Sequence, residues 1–479
     1  MDILIKNGFI ATMDKDQKIY PKGSIHIIDD KIASIGNSDE IKPLKPEVVI
    51  DAKNKSILPG FVNTHTHLPS TAWLKGLYDH FPLATRHPDS LVEIMFGIHG
   101  YIPKKTRLFA LVSCAEAIYG GSTTIVDTKG SASDTSNKEI DEFNEVVKEV
   151  GLRALLGSTI SEIDFEKLRK GRYEYIPGKG EKRLKDALDV YNRWHGKGEG
   201  RIKVILAPHA PDLTLPETYL SIKEAAEKYR LRMTTHLSQS WSEVVQVKKR
   251  FGKTPPQHLY DIGVMNDKLS SAHCIFCTNT DTMLIKKTGM TILHNPRAYL
   301  LGGGVTAPLN KWLEYGIPIG LGTDDAFHSM CEVMKSAIYA ARVRSKYEGG
   351  YYEMVVPEPP NYYKILELAT IEGAKSLGLD KEIGSLEVGK KADINIFNMK
   401  NPHLTPAIEP ITSIVLYASS ADIETVIIDG KIIKDKGLLV NNNMNNAIFD
   451  AEELVKDIWV RWLKDNPEIE KIWKKNRVY

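Results

Sequence analysis

His65 and His67 stand one residue apart just after the apolar run LPGFVN, in the stretch PGFVNTHTH. In an extended chain, side chains two apart share a face, so both imidazoles can reach one cation. Imidazole is a common zinc ligand but also an ordinary polar residue at a strand end, and such a pair alone is weak ground. Further residues of the same kind strengthen it. Apolar runs along the chain end in or before Asp127 (STTIVD), His209 (KVILAP), His236 (LRMTTH), His273 (KLSSAH), His294 (MTILH) and Asp324 (PIGLGTD). Adding His236 and Asp324 to the first pair makes three neutral nitrogens and one carboxylate. That set suits zinc or ferrous iron and leaves a coordination position for water. A cation so held lowers the pKa of its water towards about 7, which makes hydroxide available as a nucleophile at neutral pH.

Residues so scattered meet only if the runs that carry them lie side by side. With LRALLG, which ends blandly at Gly157-Ser158, the runs number eight, and segments of helical spacing such as KEIDEFNEVVKEV and LSIKEAAEKYR separate them. Eight strands alternating with helices predict a parallel barrel whose strand ends converge at one mouth. The flanks differ. ILIKNGFIATM, SIHIIDDKIASIG and VVIDAKNKSILPG at one end, and ADINIFNM, SIVLYASS and TVIIDGKIIKDKG at the other, read as strands, with Asp429-Gly430 as a hairpin turn. Neither flank has enough core alone, so the two are expected to pair. The expected class is α/β: a TIM-like (β/α)8 barrel over 59–383, inserted into a small β-sandwich built from 1–58 and 384–446. Residues 447–479 are expected to form an amphipathic helical extension broken at Pro467, with Leu454, Ile458, Trp462, Ile469, Ile472 and Trp473 on its apolar stripes.

Composition limits the partners. The 479 residues carry 63 Lys+Arg against 61 Asp+Glu, a formal net charge of +2, which gives no general attraction to nucleic acid or an anionic membrane. With 42% hydrophobic and 26% charged residues, the chain can bury a sizeable core and is not disordered. Cys114, Cys274, Cys277 and Cys331 make no disulfide framework and fit a reducing compartment. No run approaches the roughly 18 apolar residues of a membrane span, and MDILIKNGFIATMDKDQ has no export pattern. The expectation is a cytoplasmic protein with a small heterocyclic molecule as partner, no nucleic acid, no membrane, and a homo-oligomeric assembly, a dimer first.

PGFVNTHTH, APHAP (207–211), TTHLSQS (234–240), AHC (272–274), HNP (294–296), LGTDD (321–325) and GSLEVGKKADINIF (384–397) together resemble the amidohydrolase superfamily. In style they are most similar to its branch of S-adenosylhomocysteine and methylthioadenosine deaminases and s-triazine hydrolases, the atrazine chlorohydrolase type included. They run in family order and leave only the C-terminal tail outside; as a set they specify the superfamily far better than a substrate. The resemblance implies that His65, His67, His236 and Asp324 hold one divalent cation, zinc ahead of iron. It implies that His273 polarises the substrate or steadies the hydroxide, that His209 contacts the substrate, and that Asp324 also carries a proton to the leaving group. No lysine ends the fourth run, where binuclear relatives place one, so a single metal is expected.

Two departures bear on the reaction. The deaminases place glutamate three residues after the fifth-strand histidine, to shuttle protons to the ring nitrogen and the departing amine. Here that position is Gln239, whose amide cannot do so. Gln239 reads as a group that orients the substrate, with Glu243, one helical turn on, as a substitute acid. Amine release needs a proton and chloride release does not, so a dehalogenating or cyclic-amide hydrolase stands beside the aminohydrolase reading. The second departure is Pro103-Lys104-Lys105, where the deaminases carry an acidic segment that reads ribose; it disfavours a nucleoside. His80, Phe81, Arg86 and His87 in the preceding stretch, and His328 after the last run, are candidate substrate contacts, each equally able to be a plain loop residue.

Other features read as structural. Cys274 and Cys277 have no second pair, Gly302-Gly303-Gly304 suits a close turn rather than a phosphate loop, and His294-Asn295-Pro296 starts a turn at the pocket wall. The expected function is metal-dependent hydrolysis in which hydroxide attacks an electron-poor carbon of a nitrogen heterocycle and expels an amine. A different class of answer is a metal-holding scaffold without turnover, which metal content and product release would separate.

Overall fold

The computed structural model describes residues 1–41, 43, 45–68, 75, 106–129, 137–168, 171–301, 306–325, 327–348 and 360–476. His80, Phe81, Arg86, His87, Pro103, Lys104, Lys105 and the Gly302-Gly303-Gly304 run lie outside them, as do the side chains of Ile472 and Trp473. The fold is mixed α/β. Strands β1 (Asp2–Ala11), β2 (Ile19–Ile28), β3 (Lys31–Asn37), β4 (Val48–Asp51) and β5 (Lys55–Pro59) come first. Short strands alternating with helices follow: β6 (Phe61–Thr66), β7 (Ser122–Lys129), β8 (Arg153–Ile160), β9 (Ile202–Val204), β10 (Ala207–Pro208), β11 (Met233–Leu237), β12 (Leu269–His273), β13 (Thr291–His294) and β14 (Ile319–Leu321). β15 (Ile394–Asn398), β16 (Ile423–Ile428), β17 (Lys431–Asp435) and β18 (Leu438–Leu439) end the series.

The two flanks share one sheet, ordered β18-β17-β16-β15-β5-β1-β2-β3 with β4 beside β1. The joint is the antiparallel pair of β5 and β15, registered Ile57 to Ile396. Ile3, Ile5, Ile25, Ile57, Ile394 and Ile427 fill its buried side, β-branched chains that fit a pleated surface. Asp429 and Gly430 turn β16 into β17 with φ of +53° and +73°, the left-handed pair a two-residue hairpin requires. One expected strand is a helix instead, because SIVLY belongs to Pro410–Tyr417. Glu409 caps that helix by accepting the Thr412 amide, Pro410 opens it, and Ile411, Ile414 and Val415 are buried at helical spacing. Cap and spacing outweigh the strand preference of Ile and Val.

The middle strands pair in parallel. One sheet runs β10-β8-β7-β6 with β9 beside β8, the other β11-β12-β13-β14. The fourth expected run is thus two pieces, β9 and β10. Isolated parallel bridges, Leu206 to Met233 and Thr66 to Asp324, join the margins of the two sheets. β6, β11, β12 and β13 are buried along their whole length, as strands are when a parallel sheet is covered on both sides. Arg153, at the start of β8, donates to Asp393 at 3.0 and 3.2 Å and to Asp429 at 2.9 Å, tying these strands to the flank sheet.

At the C-terminal end, helices Asn442–Asp465 and Pro467–Asn476 meet at Pro467. The longer one buries Met444, Ala447, Ile458 and Trp462 and packs against the helix Thr106–Tyr119. All four cysteines are free. No helix among the described residues is long and apolar enough to cross a membrane.

Candidate metal centre

β6 supplies His65 and is followed directly by His67, β11 supplies His236, β12 ends in His273, and Asp324 follows three residues after β14. Ligand atoms of His65, His67 and His236 lie within 4.8 Å of one another, and so do those of His65, His273 and Asp324. Asp324 Oδ1 is 3.7 Å from His65 Nε2 and 3.6 Å from His67 Nε2, and its Oδ2 is 3.9 Å from His273 Nδ1. His65 is thus common to two such groups, one with His67 and His236 and one with His273 and Asp324.

Hydrogen bonds to the backbone choose the tautomers. His67 Nδ1 lies 3.1 Å from the Thr128 carbonyl, and His236 Nδ1 lies 3.0 Å from the His209 carbonyl. A carbonyl only accepts, so each Nδ1 carries a hydrogen, and in the neutral ring Nε2 keeps a lone pair. Those two Nε2 atoms face each other at 3.2 Å. With both rings neutral two lone pairs would meet there, which a cation relieves; with His67 protonated its Nε2–H would donate to His236. His65 has no hydrogen-bond partner on either nitrogen among the described residues.

Burial sets the charges. It pushes His65 and His236 well below the ordinary imidazole value, and His273 and His209 down to about 3, so these rings are neutral. Burial also pushes His67 down, but Asp325, Asp324 and Asp127 outweigh it and raise that ring. Asp324 is pushed up to about 7, first by burial and then by the neighbouring Asp325. The neutral nitrogens of His65, His236 and His273 beside a buried carboxylate fit a divalent cation.

Neighbouring groups hold this arrangement. Asp127 Oδ2 accepts the Leu68 amide at 2.7 Å and lies 3.0 Å from Thr66 Oγ1, which fixes the chain on both sides of His67. Asn63 accepts the Thr323 amide at 3.0 Å and donates to Thr323 Oγ1 at 2.8 Å, while the Asp324 amide donates to the His65 carbonyl at 2.9 Å. His273 and Asp324 have φ of +79° and +62°, conformations that cost about 1–3 kcal/mol and persist where the surroundings enforce them.

The remaining named residues spread around this point. His209 stacks edgewise on His236 with ring centroids 5.1 Å apart, and Phe165 lies 6.4 Å beyond it. Gln239 is half-buried, two residues past β11. Both carboxylate oxygens of Glu243 accept backbone amides. His328 is fully buried, with Nδ1 2.9 Å from Thr323 Oγ1. His294 is buried between Tyr299 and Trp312, at ring centroid distances of 5.9 and 5.7 Å, and belongs to neither ligand group. Asp325 was missed: it joins His67 and Asp324 in a third cluster, and the doubled aspartate of LGTDD was the available signal. The Thr128 carbonyl had no signal, because a backbone oxygen leaves no mark on residue type.

The sequence profile of the amidohydrolase family matches residues 56–433. The 5-methylthioadenosine/S-adenosylhomocysteine deaminase of Thermoanaerobacter pseudethanolicus is 32% identical over 462 residues, covering 96% of this chain and 99% of that protein. The 5'-deoxyadenosine deaminase of Methanosarcina mazei is 31% identical over 465 residues, with 96% and 99% covered. Among solved structures, a zinc-bound adenosine deaminase from Xanthomonas campestris superposes with a TM-score of 0.82 at 20% identity, covering 96% of this chain and 99% of that one. The zinc complex of atrazine chlorohydrolase from Arthrobacter aurescens gives a TM-score of 0.79 at 20% identity, with 95% and 100% covered.

Proposed function

We propose that this chain, which belongs to the amidohydrolase family, is a metal-dependent aminohydrolase that releases an amine from a nitrogen heterocycle. The observation that carries the reading is the overlap at His65 of two buried groups of ligand type, one with His67 and His236 and one with His273 and Asp324. We read the parallel strands as one (β/α)8 barrel over 59–383, closed by the Leu206–Met233 and Thr66–Asp324 bridges. The flank sheet is then a sandwich from 1–58 and 384–446, and 447–479 a helical extension.

His65, His67, His236 and Asp324 would hold one divalent cation, zinc ahead of iron because zinc is bound in two proteins of the same fold. Bound there, it would supply Lewis acidity and bring a water's pKa towards about 7. Asp324 takes the proton of the attacking water and passes it to the leaving nitrogen. His273, 3.9 Å from Asp324, polarises the substrate. His209 and Gln239 orient the ring, and His328 acts through Thr323, the residue before Asp324.

The matched deaminases are named for 5-methylthioadenosine, S-adenosylhomocysteine and 5'-deoxyadenosine, so an adenosine-type nucleoside is the first substrate class to test. This runs against the expectation drawn from Lys104 and Lys105, which lie outside the described residues. Gln239 favours a second reading, loss of halide or opening of a cyclic amide. The test is product release by the zinc- and iron-loaded protein on adenosines, free purines, pterins, chlorotriazines and hydantoins. Metal-dependent ammonia release from an aminoheterocycle supports the proposal. Halide release or ring opening alone transfers the chain to the second reading, and tightly bound metal without turnover leaves a scaffold. If Gln239 only orients, Gln239→Glu brings no large gain in deamination.

A further inference from the structure

Glu243 is the third residue of the helix Trp241–Phe251 and is 1% exposed. Its Oε1 accepts the Ser238 amide at 2.7 Å and its Oε2 the Gln239 amide at 2.8 Å. Ser240 caps the helix by accepting the Glu243 amide at 3.2 Å. In a capping box the glutamate at this position turns back to the amide of the cap residue. Here it reaches past Ser240 to the two residues before it.

That reach matters because of where those residues lie. They connect His236, on β11, to the helix. Ser238 has a φ of +49°, a left-handed conformation that a non-glycine residue keeps only when neighbours hold it. On its other side the segment is tied to the chain after β12: the Ser238 carbonyl accepts the Phe276 amide at 3.0 Å and the Leu237 carbonyl accepts the Cys274 amide at 2.8 Å. A carboxylate with both oxygens committed to buried amides cannot swing to a substrate without orphaning both.

We propose that Glu243 is a positioning residue that locks Ser238 and Gln239, so that the Gln239 side chain meets the substrate in one orientation, and that it does not stand in for the absent deaminase glutamate. The part concerning Gln239 rests on the aminohydrolase reading. Glu243→Gln keeps the side-chain shape but turns one acceptor into a donor facing an amide N–H.

The experiment is a double-mutant cycle of Glu243→Gln with Gln239→Ala, reading kcat and KM separately, with amide hydrogen exchange of residues 238 and 239 measured alongside. Glu243→Gln is expected to lower kcat/KM about tenfold with metal content unchanged, and less than about threefold once Gln239 is alanine. The two amides are expected to exchange slowly in the unmodified protein and quickly in the variant. An undiminished effect in both backgrounds, a loss confined to amine leaving groups while a halide substrate is spared, or fast exchange in the unmodified protein would each overturn the proposal. If Glu243→Gln does not fold, Glu243→Asp, too short to reach both amides, takes its place. A protein with no turnover at all would sink the aminohydrolase reading, while the exchange of the two amides still decides the role of Glu243.

Discussion

His67 Nε2 and His236 Nε2 face each other across 3.2 Å, although 169 positions separate the two residues in the chain. Each ring is turned to that orientation by a backbone carbonyl behind it, Thr128 for one and His209 for the other. In their neutral form the two rings direct lone pairs at one point, as two ligands of a single cation do.

Removing a ligand should therefore remove the metal. His65→Ala, His67→Ala and His236→Ala are each expected to lose bound metal and turnover together, read by metal analysis and ammonia release on the same preparation. A variant that keeps a full complement of metal takes its residue out of the ligand set.

Asp324 is asked both to hold the cation and to move a proton. Asp324→Asn is expected to lower kcat by roughly 10²-fold or more, the scale of general acid-base catalysis, while the protein stays folded. Steady-state rates on one substrate decide it, and an unimpaired variant would remove the proton-carrying role.

Gly322 permits the close approach of the segment after β14 to β6. A Cβ there would lie 2.3 Å from Asn295 Oδ1 and 2.9 Å from His65 Cβ, closer than packed atoms tolerate. Gly322→Ala is expected to push His65 aside and weaken metal affinity by about 10–100-fold, as disturbed support of a ligand does. Metal titration measures this, and unchanged affinity would mean that Asn295 yields instead.

Arg153 joins the parallel strands to the flank sheet through Asp393 and Asp429, all three buried. Arg153→Met leaves Asp393 without its cationic partner and Asp429 with Arg201 and Lys391 alone, at a cost of about 3 kcal/mol in denaturant unfolding. Burial alone would raise Asp429, but Arg153 first and Lys391 after it outweigh burial and hold the carboxyl below its ordinary value. A depressed carboxyl adds stability that is complete above the unfolded value of about 3.9 and fades as pH falls through the lower folded one. Acid unfolding should accordingly lose this contribution below about pH 4 in the unmodified protein, and the variant should show a smaller loss, the part that Lys391 still supports. Equal stability of the two at pH 7 would show that the cluster does not hold the two parts together.

Legibility followed the range of the interaction. His65 and His67 could be paired on paper because alternation by two is a local rule. The Asp429-Gly430 turn was equally plain, since both residues take positive φ. SIVLY misled, because its apolar letters suit a strand or a buried helix, and the decision fell to the Glu409 cap. Glu243 was visible as a carboxylate one turn past Gln239 but not as a group already occupied, since its partners are backbone amides.

The amino-acid sequence by itself determined the donor types, their order along the chain, the elements that carry them and the amide at position 239. These follow from residue chemistry and from periodicities of two and 3.6, which act over a few residues. Tertiary structure alone decided that Thr128 and His209 carbonyls select the imidazole tautomers, that Asp325 crowds Asp324, and that Glu243 is spent on Ser238 and Gln239. Those relationships depend on the parallel register of β6, β7, β11 and β12 and on backbone atoms common to every residue, so no local pattern could carry them.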